Sequence, residues 1–313
     1  MVKTESANRP GGGPLGRDTP IPVGDRWSMR RPVPAGGPPG HDVWLGLRQT
    51  DFSTVHGPVL IDAPETMDSP DSAQVTERSV DSADVLIAIC TLRERQNVVR
   101  MLAALRDAVP QSRLMVVDDN SDDGTADLAG QFAATDGNCE VVRRQGRGLG
   151  GAIIRTMKEA IDGGHTYLVN LDADFSHDPA AVPRLLSRAE QPDAPDVVVG
   201  SRYVAGGRIE GWPWRRRMMS RWINRLAIRK LKLPVSDCSG SMRCYRVEAL
   251  RTMDPRTLRS NGYSILEEIL WRLRESGAVM AEVPITFIDR QFGNSKLTLR
   301  EALRSFWRII RLG

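Results

Sequence analysis

The 313-residue chain has only four cysteines, Cys90, Cys139, Cys238 and Cys244, and no Cys-x-x-Cys pair among them. That usage argues against a zinc site or a disulfide framework, and for reduced thiols in a cytosolic protein. No apolar run reaches the ~18 residues that mark a membrane-crossing helix, so no transmembrane helix is expected. The first residues lack the charged-then-apolar layout of a secretory signal, and no internal repeat is visible. Acid is scarce in one long stretch, where Arg208, Arg215, Arg216, Arg217, Arg221, Arg225, Arg229, Lys230 and Lys232 face only Glu210. The net charge of the whole chain is a mild +4, so the local excess is what matters. It can meet nucleic acid, anionic lipid or a phosphorylated substrate, or form a solvated helix face.

Composition divides the chain. Residues 1–80 hold 11 of the 20 prolines and 10 of the 28 glycines and show no sustained apolar period. Such a segment buries too little to offset its ordering entropy, and it reads as a disordered extension. The short apolar run Val43-Trp44-Leu45 is the one place where a small subdomain could form. From about residue 82, strand-like and helical patterns alternate, which predicts an α/β domain with a mostly parallel sheet over 82–296. Strands are expected near 84–90, 113–118, 139–142, 166–171, 196–200 and 279–284. Helices are expected near 95–108, 124–133, 149–162, 179–188, 214–231, 265–276 and 298–312, the last forming an amphipathic terminal segment over 297–313.

Several predicted strands end in chemistry. Thr166-Tyr167-Leu168-Val169-Asn170-Leu171 runs into Asp172-Ala173-Asp174, two carboxylates where a strand meets a loop. Carboxylate oxygens suit Mg²⁺ or Mn²⁺, and such an ion can bridge protein to substrate phosphates; a plain surface turn is the competing reading. Val116-Val117 runs into Asp118-Asp119-Asn120-Ser121-Asp122-Asp123-Gly124-Thr125. The strand at 84–90 ends in Thr91-Leu92-Arg93-Glu94-Arg95-Gln96-Asn97. Ligands of open α/β sheets bind beyond the carboxyl ends of parallel strands, so these ends can face one nucleotide. Thr91 and Glu94 are candidates for base or ribose contacts, or for a helix cap; Asp118 and Asp119 are better placed for the nucleoside. Gly146, Gly148, Gly150 and Gly151 permit close backbone approach and anion binding at a helix start, or simply a turn. Arg202 and Arg243 can neutralise phosphate or sit in surface ion pairs, and Asp237 can orient an acceptor or pair with an arginine.

Taken in order, the segments at 91–97, 118–125, 143–157, 172–178, 200–203, 237–245 and 282–296 resemble the polyprenol-phosphate glycosyltransferases of glycosyltransferase family 2, the dolichol-phosphate mannose synthases above all. The resemblance covers residues 84 to about 310. Its most specific stretch is Glu282-Val283-Pro284-Ile285-Thr286-Phe287-Ile288-Asp289-Arg290-Gln291-Phe292-Gly293-Asn294-Ser295-Lys296. The resemblance implies a GT-A, Rossmann-like fold, and inverting transfer of a sugar, mannose from GDP-mannose first, to dolichyl or polyprenyl phosphate. It assigns the divalent ion to Asp172 and Asp174, with Asp174 the stronger ligand candidate, and puts Arg290, Ser295 and Lys296 around donor diphosphate and acceptor phosphate. Catalysis would then rest on Asp174, Arg202, Arg290 and Lys296. Ser176 stands where relatives commonly carry Gln, Cys90 replaces a proline, Leu92 a tyrosine, and Ile265-Leu266 a Phe-Gln pair. These departures weaken the choice of mannose over transfer from UDP-glucose or a UDP-amino sugar. A non-catalytic nucleotide-sugar-binding subunit is the alternative of another class, and the acidic strand ends argue against nucleic acid as the partner.

A lipid acceptor implies a peripheral position at the cytosolic face of a membrane, with or without an anchoring protein. Leu299, Leu303, Phe306 and Ile310 share a helical face beside a stripe of Arg300, Arg304, Arg308 and Arg311, the layout of an interfacial helix or of a core-facing one. The 214–231 segment repeats the pattern, with Met218, Met219, Trp222, Ile223 and Leu226 set against Arg217, Arg221 and Arg225.

Overall fold

The computed structural model describes residues 84–146 and 148–289. The 1–80 extension, the terminal helix, Arg290, Ser295 and Lys296 lie outside the described residues. Strands β1 (Val85–Thr91), β2 (Arg113–Asp118), β3 (Cys139–Arg143), β4 (Tyr167–Asp172) and β5 (Val197–Ser201) match the expected runs. A short β6 (Arg208–Glu210), then β7 (Arg243–Arg246), β8 (Met280–Pro284) and β9 (Thr286–Ile288) complete the set. Helices are α1 (Val98–Ala108), α2 (Thr125–Asp136), α3 (Leu149–Asp162), α4 (Val182–Ala189), α5 (Trp214–Leu231), α6 (Val247–Met253) and α7 (Ile265–Glu275).

Seven strands form one sheet in the order β3-β2-β1-β4-β7-β5-β8, and β6 pairs with β9 separately. All neighbours in the large sheet are parallel except β7, which runs antiparallel to both β4 and β5. The alternation within β1 explains the layering. Leu86 and Ala88 face one buried cluster with Met157 of α3 and Ile269 of α7, while Ile87 and Ile89 face the other with Leu102 of α1 and Leu185 of α4. A strand buried on both faces reads as a continuous apolar run, and each such Leu or Ile contributes roughly 1.5–3 kcal/mol on burial.

β6, β7, β9 and α6 were not anticipated. β7 escaped because Arg243-Cys244-Tyr245-Arg246 begins on an arginine, which argues against a central strand until its partners are known. Arg243 is fully buried and donates to the carbonyls of Leu266 and Cys238, each at 2.7 Å. The expectation of a phosphate-binding or surface-paired Arg243 is therefore corrected: its guanidinium ties β7 to the start of α7. Helix α1 begins three residues later than expected because the Glu94 carbonyl already accepts from the amides of Asn97 and Val98, which makes 94–97 a turn.

Candidate active site

Parallel pairing sets the strand ends side by side. Thr91 lies opposite Asp118, Cys90 opposite Asp172, and Asp118 opposite Arg143. The βα loops beyond β1, β2 and β4 each hold a non-glycine residue in the left-handed region, Arg93 (φ 57), Asn120 (φ 62) and Phe175 (φ 59). Such backbone is costly and persists where its surroundings over-determine it.

On the β1–β2 side the acids organise loops. Asp118 is buried and accepts from the Thr91 hydroxyl at 2.9 Å and from the Ser121 amide and hydroxyl at 2.9 and 2.6 Å. Asp119, also buried, accepts from Arg144 and from the Gly148 amide. Glu94 accepts from the Asn97 side-chain amide at 3.0 Å, and its own amide donates to Thr125 Oγ1 at 2.9 Å. The glycine-rich turn is likewise committed. The amide of Gly150 donates to Asn261 O, and those of Gly151 and Ala152 to Gly148 O. These amides do not form the open anion site considered from the sequence. Gly148 is needed for another reason: at φ 128, a Cβ there would stand 2.8 Å from the Asn261 carbonyl. The loop that presses on this turn is held by buried Glu268, which accepts from the amides of Arg259 and Ser260 at 3.0 and 2.8 Å.

At the end of β4, Asp174 is buried and accepts from the Ser176 amide at 3.0 Å and from the Ser176 hydroxyl. Asp172 is more open, its side chain 38% exposed. His177 lies beneath them, buried, with Nδ1 3.8 Å from Asp172 Oδ2. Neither imidazole nitrogen has a hydrogen-bond partner among the described residues. Burial holds its pKa below the ordinary histidine value, with the negative Asp172 pulling the other way. Phe287 of β9 packs edge-on against His177 at 5.4 Å and against Trp212 at 5.3 Å, and the Ile288 amide donates to Ser176 O. β9 therefore runs directly beside the Asp-x-Asp loop. Across from Asp172, the Cys90 thiol is pushed up to about 12 by burial and then by Asp172, which removes a thiolate from the chemistry.

Arg202 follows β5 and is nearly buried. Its Nε and Nη2 donate to the two Asp237 oxygens at 2.7 and 2.9 Å, and Nη2 also donates to Ser239 at 2.8 Å. Burial alone would lower the arginine's pKa and raise the carboxyl's, but each partner reverses this: Arg202 is held above its ordinary value and Asp237 below. Of the two roles considered for Asp237, pairing with an arginine is the one observed. Glu282 of β8 clamps the same loop by accepting from the amides of Ser236 and Asp237. The guanidinium of Arg202 also lies 5.4 Å from the Phe287 ring centre, which links this pair to the β4 loop. The sequence reading gave no role to His177, Phe287 or Glu268. The signal for His177 was its place directly behind Asp-x-Asp.

An open cleft of about 550 Å³ adjoins the loop, lined by Asp174, Phe175 and Asp178 on one side, Asn97 just before α1 and Arg100 within it on another, and Ile288 and Asp289.

Residues 86–253 match the family described as Glycosyl transferase family 2. This chain is a member of glycosyltransferase family 2. Proteins similar to this glycosyltransferase include two bacterial mannosyl-transfer enzymes. An undecaprenyl-phosphate mannosyltransferase of Micrococcus luteus is 41% identical over 216 residues, 68% of this chain and 87% of that protein. A polyprenol monophosphomannose synthase of Mycolicibacterium smegmatis is 35% identical over 241 residues, 75% and 88% of the two. Among solved structures, glucosyl-3-phosphoglycerate synthase from Mycobacterium tuberculosis, in complex with Mn²⁺, UDP and glucosyl-3-phosphoglycerate, superposes with a TM-score of 0.52 at 19% identity, covering 78% of this chain and 84% of that one. The same synthase with Mg²⁺ and UDP gives 0.51 at 18% identity, covering 72% and 76%. That likeness establishes the glycosyltransferase fold, GT-A, with its mostly parallel central sheet.

Proposed function

We propose that this glycosyltransferase moves mannose from GDP-mannose to a polyprenyl phosphate, with inversion at the anomeric carbon. Two relatives that cover most of their own length with this chain carry mannosyl transfer to a polyprenol carrier in their names. The single structural observation that carries the chemistry is the Asp172–Asp174 loop at the carboxyl end of β4, backed by the buried His177 and Arg202 and bordered by β9.

The donor set fits a divalent ion. Among the described residues no three His, Cys, Asp or Glu side chains make a ready cage, and an ion of the Mg²⁺ type is commonly held by one or two carboxylates with substrate phosphates completing its shell. Asp174, fixed by Ser176, and the more open Asp172 would hold it. When bound, Mg²⁺ or Mn²⁺ offsets charge on the departing nucleoside diphosphate.

The rest falls to the chain's own residues. Thr91, Glu94, Asp118 and Asp119 shape the loops proposed to receive the nucleoside. Arg202 spends Nε and Nη2 on Asp237 and Ser239, and we assign its Nη1 edge to phosphate. β9 leads into Arg290, Ser295 and Lys296, which we assign to the donor diphosphate and acceptor phosphate. A phosphate oxyanion is already a nucleophile near neutral pH, so positioning and charge stabilisation can carry the reaction without a strong base. A lipid acceptor calls for a peripheral position at the cytosolic face of a membrane, alone or with an anchoring protein. No described helix is long and apolar enough to cross a membrane.

Incubating the protein and a divalent metal with polyprenyl phosphate and labelled GDP-mannose, UDP-glucose or a UDP-amino sugar tests the reading. Label should enter the lipid fraction from GDP-mannose alone; entry from a UDP-sugar instead would replace the donor assignment.

A further inference from the structure

The two carboxylates of the Asp172–Asp174 loop are held unequally. Asp174 is 5% exposed and is fixed by the Ser176 amide at 3.0 Å and by the Ser176 hydroxyl. The Asp172 side chain is 38% exposed, and among the described residues no hydrogen bond ties its carboxylate. The polar side chain that approaches it is His177, with Nδ1 3.8 Å from Oδ2. A loose carboxylate loses rotamer freedom when it takes a ligand, so a site built to bind an ion gains by holding it beforehand.

His177 is itself fixed from both sides. Before it, the Ser176 carbonyl accepts from the Ile288 amide at 3.1 Å, and His177 bridges Phe287 of β9 in antiparallel fashion. After it, Asp178 caps a short helical turn at Pro179–Ala181 by accepting from the Ala180 amide at 2.9 Å. The ring is 1% exposed and packs edge-on against Phe287, which has Trp212 against it in turn. Yet neither imidazole nitrogen is paired among the described residues. An unpaired buried donor or acceptor is costly, and in a native protein it calls for a functional reason or a partner outside the protein. A phenylalanine would pack against Phe287 without that cost, so packing alone does not call for histidine.

We infer that His177 is a positioning residue for the divalent ion: its Nδ1–H donates to Asp172 and holds that carboxylate ready for the metal, as Ser176 holds Asp174. This rests on the proposed metal role of Asp172 and Asp174 and adds the residue that makes the looser of them competent. The separation of 3.8 Å is longer than a hydrogen bond. The exposed carboxylate is the partner with room to close it, since the imidazole is enclosed. The ring carries an N–H in either protonation state, so the role does not depend on titration. Groups that orient a ligating carboxylate are worth roughly 10–100-fold in metal affinity.

The test is calorimetric titration of the full chain with GDP and, in parallel, UDP, each with and without Mn²⁺; the tighter nucleotide serves as the probe. His177→Phe keeps the packing and removes the N–H. It should lose roughly tenfold of the affinity measured in Mn²⁺ and leave the metal-free affinity where it is. His177→Asn, whose amide nitrogen stands near the place of Nδ1, should recover most of that loss, whereas His177→Gln, which reaches towards the place of Nε2, should not. In an Asp172→Ala background, His177→Phe should cost nothing further, because the two act as one unit. Chemical denaturation of each variant reports folding, and if His177→Phe does not fold, the contrast between Asn and Gln decides. Undiminished Mn²⁺-dependent affinity in His177→Phe, beside a loss in Asp172→Ala, overturns the inference and leaves the metal assignment standing. So does an equal loss in Asn and Gln, or a full further loss in the Asp172→Ala background. Mn²⁺ dependence that survives Asp172→Ala removes the metal role of Asp172 itself, and the role of His177 with it.

Discussion

Glu267→Gln should stabilise the protein at pH 8 and leave it nearly unchanged at pH 5. Glu267 sits in the first turn of α7, 8% exposed, and its Oε2 has no hydrogen-bond partner among the described residues. Burial is the largest influence and pushes its pKa from 4.5 up to about 7; its own backbone amide, Arg243 and Arg202 oppose the rise, and Asp237 reinforces it. The folded state therefore holds this proton more tightly than the unfolded chain. Below about 4.5 both states are protonated and the carboxyl costs nothing. As pH rises towards 7 the unfolded state alone releases its proton, and stability falls; above 7 the full penalty is present. The gap between 4.5 and about 7, at 1.36 kcal/mol per decade of proton affinity, amounts to ~3 kcal/mol. Gln carries no charge and escapes it. Chemical denaturation of both proteins at the two pH values should give a gain of ~3 kcal/mol for the variant at pH 8 and under about 1 kcal/mol at pH 5. An equal difference at both pH values, or a variant less stable at pH 8, would refute the reasoning.

Asp174→Ala should abolish transfer and remove the metal dependence of donor binding while the protein still folds; unchanged metal-dependent affinity in calorimetric titration would exclude Asp174 as the ligand. Arg290→Ala and Lys296→Ala should each raise the barrier to the chemical step by roughly 2–4 kcal/mol, read from single-turnover rates at saturating substrates; near-wild-type rates would reduce both to structural roles. Asp237→Asn strands a buried guanidinium and should cost about 3–5 kcal/mol of stability at neutral pH. Because the folded-state carboxyl is held below its ordinary value, the wild-type advantage should be full above about pH 4 and fade as pH falls below it, so a pH-independent deficit in the variant would contradict the ion-pair account.

The six longer strands were legible as apolar runs, three of them ending in Thr91, Asp118 and Asp172, and the expected order of βα units was found. The antiparallel β7 was not, because a central strand that opens on Arg243 makes sense only once the Leu266 and Cys238 carbonyls are brought to it from elsewhere in the chain. The same limit applied to function. Asp-x-Asp stands out as a motif, whereas the union of Arg202 with Asp237, 35 residues apart, and the edge-on packing of His177 against Phe287 are products of tertiary packing. For the glycines at 148 and 150 the sequence offered close backbone approach, anion binding or a plain turn, and close approach to the 260–261 backbone is the use observed. The amphipathic pattern of α5 was visible too, but a sequence pattern alone cannot say which of two faces the core takes, and Met218, Met219 and Trp222 stand exposed.

The central claim is tested most directly by the product itself. Protein supplied with GDP-mannose, a divalent metal and polyprenyl phosphate should release GDP in step with the appearance of a mannosyl phosphopolyprenol, whose anomeric coupling in NMR reports the configuration opposite to that of the donor. Mannose remaining with the nucleotide or freed into water, or a lipid product of retained configuration, would contradict the account.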